Sequence, residues 1–265
     1  MPHVGEIVAL LEELAPPVLA EDWDNVGLLV GDRTRQVERL MTCLTVTPSS
    51  AAEAIDEQVD LIVSHHPLPF RPLKRLTTDT PTGRMLWDLI GARIAIYSPH
   101  TAFDSAGGGI NRLLADGSGL VDVVPLVPKT DADGSGAIGT GRMGRLPTAM
   151  YLDEFARSVR RFLGIAHSQV VGDASRRVER VAIGCGSAGE FLEPARAAGC
   201  HCLLTGEARF HTCLEAESLE MGLILVGHYA SERFGVERLA EVLAGRLPGV
   251  QVWASRKEAD PLRLV

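Results

Sequence analysis

Three apolar runs in this chain each end in residues able to bind a metal ion. In DLIVSHHPLPF an apolar strand, Leu61 to Val63, opens into Ser64-His65-His66-Pro67. In RIAIYSPHTAFD a second run opens into His100 and Asp104. In GLILVGHYASE a third opens into His228 and Glu232, which share one face if a helix starts there. An isolated His-His pair is more often a surface or capping pair. Three repetitions of strand, histidine and further donor favour a metal site. With His211 from LLTGEARFH, the pattern takes in five of the eight histidines, leaving His3, His167 and His201 outside it. Imidazole and carboxylate without thiolate suit Zn, Mn, Fe, Ni or Co. A structural zinc usually recruits cysteine and needs only four ligands. The surplus here points to two ions, with Asp104 or Glu232 as the bridging carboxylate.

Two GxGxxG patterns compete with this reading. Gly139, Gly141 and Gly144 lack a strand-loop-helix context, and Pro147 follows them closely. Gly184, Gly186 and Gly189 follow a strand, precede a helix, and have Glu207 further along, which is the layout of a dinucleotide fingerprint. A tight strand-to-helix turn, common to any α/β fold, is the favoured explanation of them. Such a turn can also offer backbone N–H groups to an anionic part of a substrate. Cys185 lies in it, with no base assigned to activate the thiol.

Apolar periodicity supplies the elements that must position these residues. Val4, Ile7, Val8, Leu11 and Leu14 predict a helix that Pro16-Pro17 ends. Strands are predicted at 40–46, 61–63 and 94–97, with helices near 49–58 and 82–91. A Gly-rich stretch, DADGSGAIGTGRMG, reads as a linker or mobile loop. Beyond it, helices are predicted near 152–163, 190–198, 208–220 and 231–244, and strands at 178–183, 202–205, 223–226 and 250–253. Strand-helix alternation implies parallel sheets. The expected architecture is α/β, with an N-terminal lobe at 1–130, a linker at 131–150 and a C-terminal lobe at 151–265. The sheets are mostly parallel, and the metal site occupies the cleft between the lobes.

The 265 residues, 46% of them hydrophobic, can bury a sizeable core. A net charge of −8 with no basic run disfavours nucleic acid as a partner. No apolar stretch is long enough to span a membrane, and Glu6, Glu12 and Glu13 interrupt any signal-like segment. Five cysteines without a CxxC read as reduced thiols in a cytoplasmic protein.

Taken in order, EDWDNVGLLVGD, SHHP, HTAFD, GSAGEFLEPARAAG, LLTGEARFH and GHYASERFGVERLAEVL resemble the Nif-three-like family. Its members are also described as dinuclear metal centre proteins and as homologs of GTP cyclohydrolase I type 2. The resemblance spans most of the chain and is to the short form without an inserted domain. It implies that His65, His66, Asp104, His228 and Glu232 hold two divalent metals. It also implies that His100, Glu207 and His211 line the same pocket, and that the protein forms a homohexameric ring. One departure stands out: Thr45 occupies a place that is often acidic in the family, which alters a contact behind the metal site.

The expected function is metal-dependent hydrolysis of a nucleotide-like or phosphorylated small molecule, with Glu207, His100 or His211 moving protons. GTP ring opening is one version and phosphoester hydrolysis another. The alternatives are a non-enzymatic metal-binding or regulatory protein and, from the Gly184 turn, a nucleotide-dependent oxidoreductase.

Overall fold

The computed structural model describes residues 1–129 and 138–263. Through the first half the chain runs α1 (Val4–Leu14), β1 (Gly27–Val30), β2 (Arg39–Cys43), α2 (Pro48–Asp56), β3 (Leu61–Ser64), α3 (Pro81–Gly91) and β4 (Ala95–Ser98). There follow α4 (His100–Ser105), α5 (Ile110–Gly117), β5 (Val121–Val124), β6 (Val127–Pro128), β7 (Gly139–Thr140), β8 (Arg142–Tyr151) and α6 (Leu152–Leu163). The rest is β9 (Gln169–Val171), β10 (Arg177–Ser187), α7 (Leu192–Ala197), β11 (Cys202–Glu207), α8 (Phe210–Ser218), β12 (Gly222–Leu225), α9 (His228–Arg246) and β13 (Gln251–Ala254). Local signals set several ends. Thr47 and Thr80 cap α2 and α3 and are each followed by a proline, while Gly164 closes α6 at φ +66.

The α/β class is as expected, but the compact units are not the two sequential lobes. One unit joins Met1–Phe103 to Gly235–Val265, and the other is Asp104–Phe234. The reason is β13, which pairs in parallel with β2, so the C-terminal segment completes the first unit's sheet.

In the first unit the strand order is β1-β4-β3-β2-β13. The pairings of β4, β3, β2 and β13 are parallel, and β1 adds to the edge antiparallel. Met41, Ile62 and Ile96 from the sheet pack with Ala54 of α2 and Leu86 and Leu89 of α3 in one buried cluster. The second unit has the order β5-β8-β10-β11-β12-β9. Its parallel core is β10-β11-β12, with antiparallel neighbours on both sides. Among the described residues no helix is long and apolar enough to cross a membrane.

The expected linker also changes. Residues 130–137 lie outside the described part, but 142–151 form the ten-residue strand β8, paired with both β5 and β10. Glycine and arginine hid it, because its inward positions are Arg142, Gly144 and Leu146 rather than a run of large apolar side chains. Arg142 is 2% exposed, and its guanidinium donates to the carbonyls of Gly139, Gly141, Ser105 and Ala106. Burial lowers its pKa to about 10, which still leaves it charged at neutral pH.

In the first unit Glu53, on α2, holds the chain beyond β13. Its carboxylate accepts from Ser255 Oγ at 2.6 Å, from the backbone N–H groups of Arg256 (2.9 Å) and Lys257 (3.0 Å), and from Trp253 Nε1 (3.3 Å). Burial alone would raise its pKa, but these donors outweigh burial and lower it. Glu53→Ala is expected to cost about 1–3 kcal/mol of stability at neutral pH. Because the folded value is depressed, this contribution is complete above the unfolded value of about 4.3 and is lost as pH falls through the folded one. Denaturant unfolding of both proteins down the acid limb checks this, and a difference that stayed constant with pH would contradict it.

Candidate metal centre

The carboxyl ends of three adjacent parallel strands carry the first group of donors, where open α/β sheets place their ligands. β3 runs into His65 and His66, β4 into Pro99-His100, and β2 into Leu44-Thr45. The loop backbone is fixed by its neighbours. His65 N donates to the Cys43 carbonyl and His66 N to that of Leu44, while Ser98 Oγ and Ser64 Oγ donate to the carbonyls of His65 and His66. Ring nitrogens of His65, His66 and His100 lie within 4.8 Å of one another. This is a spacing at which imidazoles can share an ion.

Two of these rings are oriented from behind. His100 Nδ1 lies 2.7 Å from Asp24 Oδ1, and the Asp24 side chain is fully sheltered from solvent. Asp24 also accepts from the backbone and hydroxyl of Thr101. Burial would raise the Asp24 pKa, but the bonds from His100 and Thr101 hold it down to about 2. His100 opens α4 at φ +28, a value uncommon for a residue with a Cβ. Such strain persists where surroundings over-determine it, as the Asp24 network does here. His66 Nδ1 lies 2.7 Å from Thr45 Oγ1, so the place that is often acidic carries a hydroxyl on the ring itself. Thr45 is set in turn by Glu258, whose two carboxylate oxygens accept from Leu44 N at 2.8 Å and Thr45 N at 2.6 Å. Both arrangements engage Nδ1, the way partners of metal-binding histidines usually do.

The second group lies at the first turn of α9 and around the end of β10. His228 Nδ1 lies 3.0 Å from Glu207 Oε1, and His228 Nε2 lies 3.2 Å from Glu232 Oε2. The bond to Glu232, with the charges of both carboxylates, raises the His228 pKa to about 9 against the opposing effect of burial. Cys185 Sγ lies 3.1 Å from Asp104 Oδ1, and Asn111 Nδ2 donates to the Asp104 carbonyl. Burial pushes the Cys185 thiol well above its usual range, and the charges of Asp104 and Glu232 add to the effect. These surroundings favour the neutral thiol over the thiolate.

The glycine turn has a packing role. A Cβ on Gly186 would stand 2.3 Å from Glu232 Oε1, and one on Gly184 would stand 2.5 Å from the Ala188 Cβ. The backbone N–H groups of Cys185, Gly186 and Ala188 donate to Asn111 Oδ1, Ser231 Oγ and Thr205 Oγ1. Committed inside the protein, these three cannot cradle an anion, which corrects the expectation of a phosphate-binding turn here.

A family profile for Duf34/NIF3 (NGG1p interacting factor 3) matches residues 2–261. The chain belongs to this family. Among Duf34/NIF3 relatives, a Clostridium perfringens protein named GTP cyclohydrolase 1 type 2 homolog is 30% identical, covering 99% of both chains. A Helicobacter pylori protein named GTP cyclohydrolase 1 type 2 is 31% identical and covers 92% of each. Of solved structures, a hypothetical protein of Staphylococcus aureus superposes with TM-score 0.90 at 26% identity, over the whole of both chains. Reduced HcgD from Methanocaldococcus jannaschii does so with TM-score 0.81 at 27% identity, covering 95% of this chain and 97% of that one.

Within this Duf34/NIF3 chain, then, His65, His66 and His100 form one group. Glu207, His228 and Glu232 form another, with Asp104 tied to Cys185. His211 is exposed on α8 beside Phe210, and among the described residues no hydrogen bond joins it to His228 or Glu207. Sequence reasoning missed Asp24 and Glu258 as positioning residues. Asp24 lies in a segment that carried the resemblance, whereas nothing local marked Glu258.

The positioning predicts an ordered series. Asp24→Asn, Thr45→Val and Glu258→Gln should each weaken metal binding about 10- to 100-fold while the chain stays folded. Thr45→Asp should tighten it, because a carboxylate makes the ring more basic. Competition with a chelating dye, alongside circular dichroism, measures both, and unchanged affinity in all four variants would contradict the assignment.

Proposed function

We propose that this protein is a dinuclear metal-dependent hydrolase of a nucleotide-like or phosphorylated small molecule, holding its ions on His65, His66, Asp104, His228 and Glu232. The observation that carries the reading is the histidine group at the strand ends, with Asp24 behind His100 and Thr45 behind His66. Oriented imidazoles with carboxylates and no thiolate ligand fit Zn, Mn, Fe, Ni or Co. Bound there, divalent ions supply Lewis acidity and a water acidified to near neutral pH. The chain's own part is to orient and to move protons. Glu207 steadies His228 through Nδ1 and is 53% exposed, so it can exchange protons with solvent. His100 keeps one ring nitrogen on Asp24 and lies within the histidine group. His211, without such a link, ranks behind both. The names of the relatives make GTP a first substrate to try. We further propose a homohexamer working in the cytoplasm, a compartment that suits five cysteines without a CxxC motif.

The test begins with metal-stripped protein reloaded with Zn, Mn, Fe, Ni or Co. About two ions per chain are expected by elemental analysis, since the ligand set exceeds what one ion needs. His65→Ala and His228→Ala should lower that content, while His167→Ala, on the exposed surface, should not. Hydrolysis of GTP or of simple phosphodiesters should appear with metal and vanish in folded Asp104→Asn and Glu232→Gln proteins. Tight metal binding without turnover on any nucleotide or phosphoester would replace the hydrolase with a metal-binding protein.

A further inference from the structure

Two aromatic rings stand in the open beside the histidine group. Trp23 is 64% exposed and Phe70 is 45% exposed, and their ring centroids lie 6.1 Å apart at 57°. Each meets His100 edge-on, Trp23 at 6.1 Å and Phe70 at 6.3 Å between centroids. The three rings therefore make an open corner, one wall of which is a histidine of the candidate centre. Single exposed apolar side chains are ordinary on a protein surface. A pair of them against a cluster of polar donors is the anatomy of a small-molecule pocket.

The corner is built, not a chance approach of two mobile loops. Asp24, next to Trp23, is bonded to His100 and Thr101. Asn25 Nδ2 donates to the carbonyl of Pro69, next to Phe70, at 2.7 Å. The segment carrying Trp23 is thus fastened to the histidine on one side and to the segment carrying Phe70 on the other. With the segments that carry them fastened before the ligand arrives, the two rings have less freedom to lose on binding, which favours affinity.

We propose that Trp23 and Phe70 are the specificity-determining residues of the centre, and that its ligand carries a planar unsaturated ring laid against them. A polar atom on or near that ring then comes to the His65, His66 and His100 group. This rests on the proposed metal-dependent reading of the histidines and narrows it, since a phosphoester without a ring would gain nothing from the corner. An aromatic face stacks on any flat ring, so the corner selects a class of molecule rather than one base.

The experiment measures binding by calorimetry to the Mn-loaded full chain. The probes are GTP, ATP, UTP and flavin mononucleotide, compared with tripolyphosphate, which has charge but no ring. Trp23→Leu and Phe70→Leu should each weaken the best ring-bearing probe by about tenfold. Metal content and tripolyphosphate binding should not change, and Trp23→Phe should recover most of the loss. The inference is overturned if no ring-bearing probe outbinds tripolyphosphate, or if the double variant binds rings as the wild type does. It is equally overturned if the double variant only shifts the oligomeric mass, which would make the rings a subunit contact. Its failure is separable from that of the hydrolase reading. Ring-dependent binding without turnover upholds it and removes the hydrolase. Turnover of GTP with KM unmoved in the double variant does the reverse.

Discussion

A carboxylate taken out of water has to be given hydrogen-bond donors, and in the first unit that requirement organises the loops. Asp24, Glu53 and Glu258 are far apart in sequence, yet each collects donors from a segment remote from itself. Asp24 gathers the start of α4, Glu53 the chain after β13, and Glu258 the loop after β2. The last two act in series: Glu53 fixes Ser255 to Lys257, which sets Glu258, which fixes the backbone of Thr45, whose hydroxyl meets His66. The residues after β13 therefore shape the loop at Thr45, 213 positions before Glu258. This is also why that segment belongs to the first unit and not to a C-terminal lobe.

Strand direction supplies the other half of the arrangement. Parallel β2, β3 and β4 end at one edge, so Thr45, His65, His66 and His100 arrive there without any long-range search. Serines at the strand ends then commit their hydroxyls to the carbonyls of the two adjacent histidines, which leaves the imidazoles as the groups that project. The division of labour is clear: backbone and hydroxyls set position, while the buried Asp24 carboxylate and Thr45 set ring orientation.

How much of this could be read beforehand depended on range. Histidines at the ends of apolar runs announce themselves, because a buried strand and its first polar residues are local features. All seven strands and the helices expected around them occur, with ends moved by a few residues. Strand β8 was hidden because a buried arginine and a glycine fill its inward positions, and only pairing on both sides makes it a strand. The discontinuous unit was hidden because β13 joins β2 across most of the chain. Glu258 was hidden for the same reason, as a carboxylate near a chain end looks solvated until its partners are known. The glycine turn misled in the opposite way. Its spacing suited a phosphate, but packing against Glu232 and Ala188 explains the glycines, and internal acceptors had already taken the amides.

The second unit obeys the same electrostatics with the opposite result. Asp104 and Glu232 bring negative charge to a buried region, and Cys185, placed against them, is driven toward its neutral thiol. As a neutral donor it can steady Asp104 without adding a further charge. His228 responds the other way, drawn toward its charged form by Glu232 and Glu207. One field thus silences the cysteine and favours positive charge at the histidine. A region that rewards positive charge and is lined by oxygen and imidazole nitrogen has the character of a cation site. That is why the donor chemistry argues for metal here, whereas the glycine spacing a few residues away does not argue for a nucleotide.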